Sequence, residues 1–129
     1  MGKKVTRIGR YRVEDATRPY TPGDELTLRE LAGYQRRAVR TILRDVVNVE
    51  PDILKYARGA IGLTQAQLAE LLGVALETVS RWETGADPFK PTVQLALATL
   101  LDIAESVGGD LDKLPRREAT EGTITLKAS

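Results

Sequence analysis

A chain of 129 residues with 42% apolar and 29% charged side chains has the make-up of one folded domain, or of a small domain with an appendage. It has no Cys and no His, which excludes disulfides, thiolate or imidazole metal sites and cysteine nucleophiles, and removes the commonest general base near neutral pH. Net charge is only +1 but unevenly spread: residues 1–49 hold eleven Lys/Arg against six Asp/Glu (+5), residues 50–107 four against eight (−4), and residues 108–129 four of each.

No stretch approaches the ~20 apolar residues of a membrane-spanning helix. The start, Met1-Gly2-Lys3-Lys4-Val5-Thr6-Arg7, is basic with no apolar run behind it, unlike a secretory signal, so a cytoplasmic location is expected. No acidic cluster suggests a carboxylate metal site or a catalytic carboxylate pair. Neither a cofactor nor an enzyme activity is expected.

Taken in chain order, residues 5–13 alternate weakly at Tyr11 and Val13 with arginines between, and predict a strand or an ordered arm. Pro19-Tyr20-Thr21-Pro22-Gly23-Asp24 reads as a turn or linker. Thr27-Leu28-Arg29-Glu30 is a capping box, in which a hydroxyl and a glutamate three residues on satisfy each other's free backbone N–H. It opens an amphipathic helix of roughly 28–47, despite Gly33, with Leu28, Leu31, Ala32, Ala38, Val39, Ile42, Leu43 and Val46 on the apolar arc. Arg29, Arg36, Arg37, Arg40 and Arg44 fill a separate arc about 100° wide. That stripe has two readings: a contact surface for phosphates or an acidic partner, and a solvated outer face.

Glu50-Pro51 predicts a second helix running to about Gly62, because Pro suits the first helical position. Thr64-Gln65-Ala66-Gln67 is another capping box and opens a third helix that ends near Leu72, closed by Gly73 in the left-handed conformation. A fourth helix is expected from about Leu76 to Thr84 and a fifth from about Pro91 to Val107, separated by the loop at Asp87-Pro88. The polar tail from Asp110 contains one short alternation, Thr123-Ile124-Thr125-Leu126-Lys127, that reads as a strand. The expected layout is a basic arm (1–26), an Arg-rich helix (27–49), a helical domain (50–108) and a polar tail (109–129).

The informative stretch is Leu63-Thr64-Gln65-Ala66-Gln67-Leu68-Ala69-Glu70-Leu71-Leu72-Gly73-Val74-Ala75-Leu76-Glu77-Thr78-Val79-Ser80-Arg81-Trp82-Glu83-Thr84-Gly85. Two short helices joined by a Gly-containing turn, with Ala69 at the crossing and Leu68, Leu72, Val74 and Val79 as a buried seam, project the second helix outward at a steep angle. Such a helix fits the major groove of DNA. Trp82 is expected in the core.

These residues resemble the Cro/repressor-like helix-turn-helix family, also called Xre, almost throughout the motif. The resemblance implies an all-α fold: a lambda-repressor-like domain of five helices over about 51–107, preceded by the amphipathic helix, with short strands at the two ends of the chain. It implies that Leu76, Glu77, Thr78 and Arg81 read base edges, Arg by bidentate bonds to guanine and Glu by accepting from cytosine. It implies a phosphate role for Gln65, where helix N–H groups favour an anion, and Thr64, Ser80 and Lys90 are further phosphate candidates. An i,i+4 ion pair between Arg81 and Glu77 is the competing reading of those two charges. Ala75 departs from the family, which has Ser or Thr as the cap of this helix. The surrounding layout is similar to antitoxins of the MqsA and HigA-like type, although MqsA-type proteins carry an N-terminal zinc module with four cysteines and this chain has none.

The expected function is a sequence-specific repressor that binds a pseudo-palindromic operator as a homodimer, as the autoregulating antitoxin of a toxin–antitoxin pair. The alternatives are a module that neutralises a toxin or other partner with little DNA binding, and a stand-alone regulator. Because the motif domain is acidic, Lys3, Lys4, Arg7, Arg10 and Arg12 are candidates for a groove-following arm, and with Arg36, Arg37, Arg40 and Arg44 for contact with DNA or a partner.

Overall fold

The computed structural model describes residues 2–109. The elements in chain order are β1 (Gly2–Ile8), β2 (Tyr11–Tyr20), α1 (Leu28–Asp45), α2 (Pro51–Ile61), α3 (Gln65–Leu72), α4 (Leu76–Thr84) and α5 (Pro91–Ser106). The class is mostly helical with a two-stranded antiparallel sheet, where an all-α fold with short strands at the two ends of the chain was expected. Of the five helices, four fall within the stretch expected to hold all five, and α1 is the fifth. The expected strand near residue 124 lies outside the described residues.

The strands form a tight hairpin. Ile8 pairs with Tyr11 across the two-residue turn Gly9-Arg10, followed by Arg7 with Arg12, Thr6 with Val13, Val5 with Glu14 and Lys4 with Asp15. Gly9 has φ +57°, which a glycine at the first central position of such a turn adopts without a Cβ penalty. The alternation pattern predicts only one strand here because Gly9-Arg10 is not a familiar turn dipeptide and the second strand runs through Pro19.

Both capping boxes form as expected: the Thr27 hydroxyl accepts from Glu30 N–H and the Thr64 hydroxyl from Gln67 N–H, with each Glu or Gln side chain returning the bond. Pro51 and Pro91 open α2 and α5. Gly62, Gly73 and Gly85 close α2, α3 and α4 in the left-handed region. Asn48, φ +55°, makes the bend between α1 and α2, a conformation Asn tolerates better than other non-glycine residues.

One core joins every element. Ile8 from the hairpin, Val39 and Leu43 from α1, Ile53 and Leu54 from α2, Leu68 from α3, Val79 from α4 and Leu97 and Leu101 from α5 are all sealed from solvent. Each fully buried aliphatic side chain of this kind contributes roughly 1.5–3 kcal/mol. Helix α1 packs most extensively on α5, running antiparallel to it, and buried Gln94 of α5 donates to the Leu43 and Val46 carbonyls at the end of α1. Those carbonyls belong to the set a helix C-terminus leaves without an internal partner.

The α1 faces differ from the helical-wheel reading. Leu28, expected on the apolar face, is 86% exposed, and Leu31 is exposed as well. Arg36 is buried, and Arg37 is nearly so. The reason is tertiary: α5 and β2 cover the basic arc, and their carboxylates meet the guanidinium groups. Arg36 bonds Glu105, Arg37 bonds Asp15 at 2.9 Å, and Arg40 bonds Asp102 at 2.8 Å. The aliphatic stems of arginine pack as apolar surface once the charged ends are paired. Neither reading of the stripe, phosphate contact or solvated face, fits Arg36 and Arg37.

Candidate nucleic-acid interface

The two motif helices are positioned by their caps and by one small residue. Thr64 starts α3, Gly73 (φ +69°) turns the chain out of it, and Val74 N–H returns to the Ala69 carbonyl at 3.0 Å. Ala69 and Leu68 are buried beneath α4, as is Val79 on the inner side of α4. Leu72, Val74 and Trp82 are half-buried against the same core.

With Val79 facing inward, the 100° step of the helix turns Glu77, Arg81 and Thr84 to the opposite side, where all three are exposed. Leu76 at the first turn is 45% exposed, and Thr78 and Ser80, both half-buried, flank the outward face. Ala75 caps α4 without a side-chain hydrogen bond. The structure therefore places Leu76, Glu77, Thr78, Ser80 and Arg81 on one short projecting helix. Lys90 is exposed at the start of α5.

Arg81 pairs with neither a core group nor Glu77. Its Nε donates to Asp87 Oδ2 at 2.6 Å and its Nη2 to Asp87 Oδ1 at 3.3 Å. The Arg81 bond holds the Asp87 carboxyl below the usual range, and Asp87 in turn raises the guanidinium. Glu77 has no ion pair among the described residues.

Gln65 sits at the N-terminus of α3, and its Nε2 donates to Glu83 Oε1 at 3.1 Å. Thr64 accepts the N–H of Gln67 through its hydroxyl oxygen, which leaves its O–H as a donor. Glu83 also accepts from Arg58 Nε at 2.8 Å and Nη2 at 3.1 Å, while Arg58 Nη1 reaches the Leu63 carbonyl at 3.0 Å. Burial pushes the Glu83 carboxyl up, but Arg58 and Gln65 outweigh it and hold the carboxyl below its ordinary value. The sequence alone points to no role for Arg58, Glu83 or Asp87. Nothing in a single sequence marks residues 25 apart as partners, although Glu83 lies in the matched motif.

The basic N-terminus is not a free arm. Ile8 anchors it in the core, and buried Asp15 ties β2 to Arg37. Arg10 bonds Glu50 at 2.8 Å beside Tyr11, whose hydroxyl donates to the same carboxylate at 2.6 Å. Arg12 and Lys3 both pair with Glu14, and Lys4 lies 5.8 Å from the Tyr20 ring centre. Arg7 is exposed with no ion pair among the described residues. Arg44, also exposed, pairs with neighbouring Asp45 at 3.6 Å.

The uneven charge of the sequence is thus in part internal complementarity. Arg10, Arg36, Arg37 and Arg40 from the basic half meet Glu50, Glu105 and Asp102 of the acidic half. Among the described residues no group of acidic side chains is arranged to hold a metal, and no helix is long and apolar enough to cross a membrane.

No curated protein and no solved structure matches this chain. Residues 54–113 match the family model described as helix-turn-helix, a family of DNA-binding regulators. The matched segment, a little under half of the chain, includes α3, α4 and α5 and most of α2, so the likeness to the helix-turn-helix family falls on the part of the chain that holds the two motif helices.

Proposed function

We propose that the chain is a sequence-specific repressor that reads duplex DNA with α4 and binds as a homodimer. The observation that carries the reading is the orientation of α4: Val79 is locked in the core while Glu77 and Arg81 project together into solvent on the opposite side, with Leu76 partly exposed at the first turn. A monomer gains few contacts from one nine-residue helix, so two copies on half-sites about 34 Å apart are the arrangement that yields affinity. Specific dissociation constants of such dimers are on the order of 10⁻⁸–10⁻¹¹ M at physiological salt. Gln65, Thr64, Ser80 and Lys90 are the phosphate contacts of this reading. Footprinting on the DNA upstream of the chain's own gene tests it, with Arg81→Ala as the control that abolishes protection. Absence of any protected site would reject autoregulation.

A second reading adds a protein partner, in keeping with the antitoxin-like layout. The observation that favours it is the exposed apolar pair Leu28 and Leu31 at the start of α1. Co-expression with the product of the adjacent gene is the test. Leu28→Glu with Leu31→Glu should break such a complex while leaving DNA binding intact, and a complex that survives both changes excludes this surface.

A further inference from the structure

We infer that Asp87 is the residue that makes Arg81 selective for guanine, a proposal that rests on the reading of α4 as the DNA-contacting helix. Asp87 is tied to Arg81 at both of its ends. Its backbone N–H donates to the Arg81 carbonyl at 3.2 Å, and its carboxylate takes the Nε and Nη2 of the Arg81 side chain. The return is possible because Gly85, φ +83°, reverses the chain directly after α4, and its Cα lies close enough to Pro51 that a Cβ there would sit 3.2 Å from the proline ring. The carboxylate is therefore presented from a fixed backbone.

The stereochemistry follows from the donor set of arginine. The guanidinium has five N–H groups in one plane. Asp87 occupies the side-on edge, Nε with one Nη2 hydrogen. What remains is the end-on edge, Nη1 with the second Nη2 hydrogen, as two parallel donors. Guanine offers two acceptors, N7 and O6, to such an edge, whereas adenine offers one acceptor and a donor at N6. A guanidinium held by Asp87 thus fits guanine and meets a repelling N6 donor on adenine. Without Asp87 the side chain regains its rotamers and can turn to a phosphate instead. Both charges are about half exposed, where an ion pair adds little stability, so folding alone gives this clamp little purpose.

The test is selection of bound duplexes from a randomised DNA library by the intact protein, Asp87→Asn, Asp87→Ala and Arg81→Ala, with thermal melting to confirm that each folds. The protein should select guanine at one position of each half-site. Asp87→Asn and Asp87→Ala should weaken that preference on the order of tenfold, leave the other positions unchanged, and raise affinity for unrelated duplex because a negative charge is gone. Guanine preference that survives both Asp87 changes, or a loss spread evenly over all positions, overturns the proposal while leaving the role of Arg81 standing. If Arg81→Ala alters no position, the reading of α4 at this residue fails and the proposal falls with it.

Discussion

Arg58 on α2 holds Glu83 on α4 through two hydrogen bonds, at 2.8 and 3.1 Å, and the glutamate side chain is only 5% exposed. This pair ties α4 to α2, and the same arginine also binds the Leu63 carbonyl just before α3, so one side chain links three of the helical segments. Removing one partner leaves the other charge buried and unpaired, which costs about 3 kcal/mol. Arg58→Ala and Glu83→Ala should each lower stability by that amount in urea titrations. Arg58→Met combined with Glu83→Leu should recover most of it. Single variants within about 0.5 kcal/mol of the parent would show that the pair does not hold α4 to α2.

The buried carboxylates set the acid response. At Glu83 and Asp15 burial raises the carboxyl, but Arg58 with Gln65 at the first, and Thr17 with Arg37 at the second, more than reverse it, so both end below their ordinary values. A depressed folded value means the unfolded chain takes up protons first. The stabilisation is complete above about pH 5, where the unfolded carboxyls are already ionised, and drains away as pH falls through the lower folded values. With no histidine in the chain, no side chain with an ordinary value between about pH 5 and 8 is present to add a second transition. Melting temperature measured from pH 8 to 3 should be flat and then fall, with a shallower fall in Glu83→Gln. A decline that begins near neutrality would contradict this assignment.

The helices were legible in the sequence because their signals are local. Thr27 and Thr64 form the boxes their neighbours predict, Pro51 and Pro91 open helices, and Gly73 and Gly85 close them. The outward face of α4 was legible for the same reason, once Val79 is taken as the inner residue. What the sequence concealed is pairing across distance. Arg36 and Arg37 look like a solvent stripe on α1 alone, and only the docking of α5 and β2 brings Glu105 and Asp15 over them. Asp87 escaped notice because Glu77, one turn from Arg81, is the nearer partner by sequence, while the reversal at Gly85 makes Asp87 the nearer one in space.

Ala75 leaves the first turn of α4 without a side-chain cap although its backbone, φ −71° and ψ 152°, is already that of a capping residue. A serine there has its oxygen within reach of the free N–H groups of the first turn, and position 75 is exposed, so no packing is lost. Ala75→Ser should stabilise the protein by about 1 kcal/mol. Differential scanning calorimetry would register this as a rise of several degrees in melting temperature. No rise would mean that α4 is held wholly by Arg58 and the core beneath it.

The hairpin supplies the last prediction. Its cations are unequal: Arg10 is committed to Glu50 and Arg12 to Glu14, whereas Arg7 is exposed with no ion pair among the described residues and Lys3 holds Glu14 only at 3.4 Å. Of the cations in the turn-proximal half of the hairpin and its first strand, Arg7 and Lys3 are the ones able to touch the DNA backbone without first breaking a short bond; Arg18, near the far end of β2, is likewise exposed. Deleting the segment is no test, because Ile8 is part of the core. Lys3→Gln with Arg7→Gln should instead preserve the fold and reduce the slope of log affinity against log salt by about 0.9 for each phosphate no longer neutralised, about 2 in all per protomer. An unchanged slope would place the hairpin away from the duplex and leave the phosphate contacts to Gln65, Thr64, Ser80 and Lys90 alone.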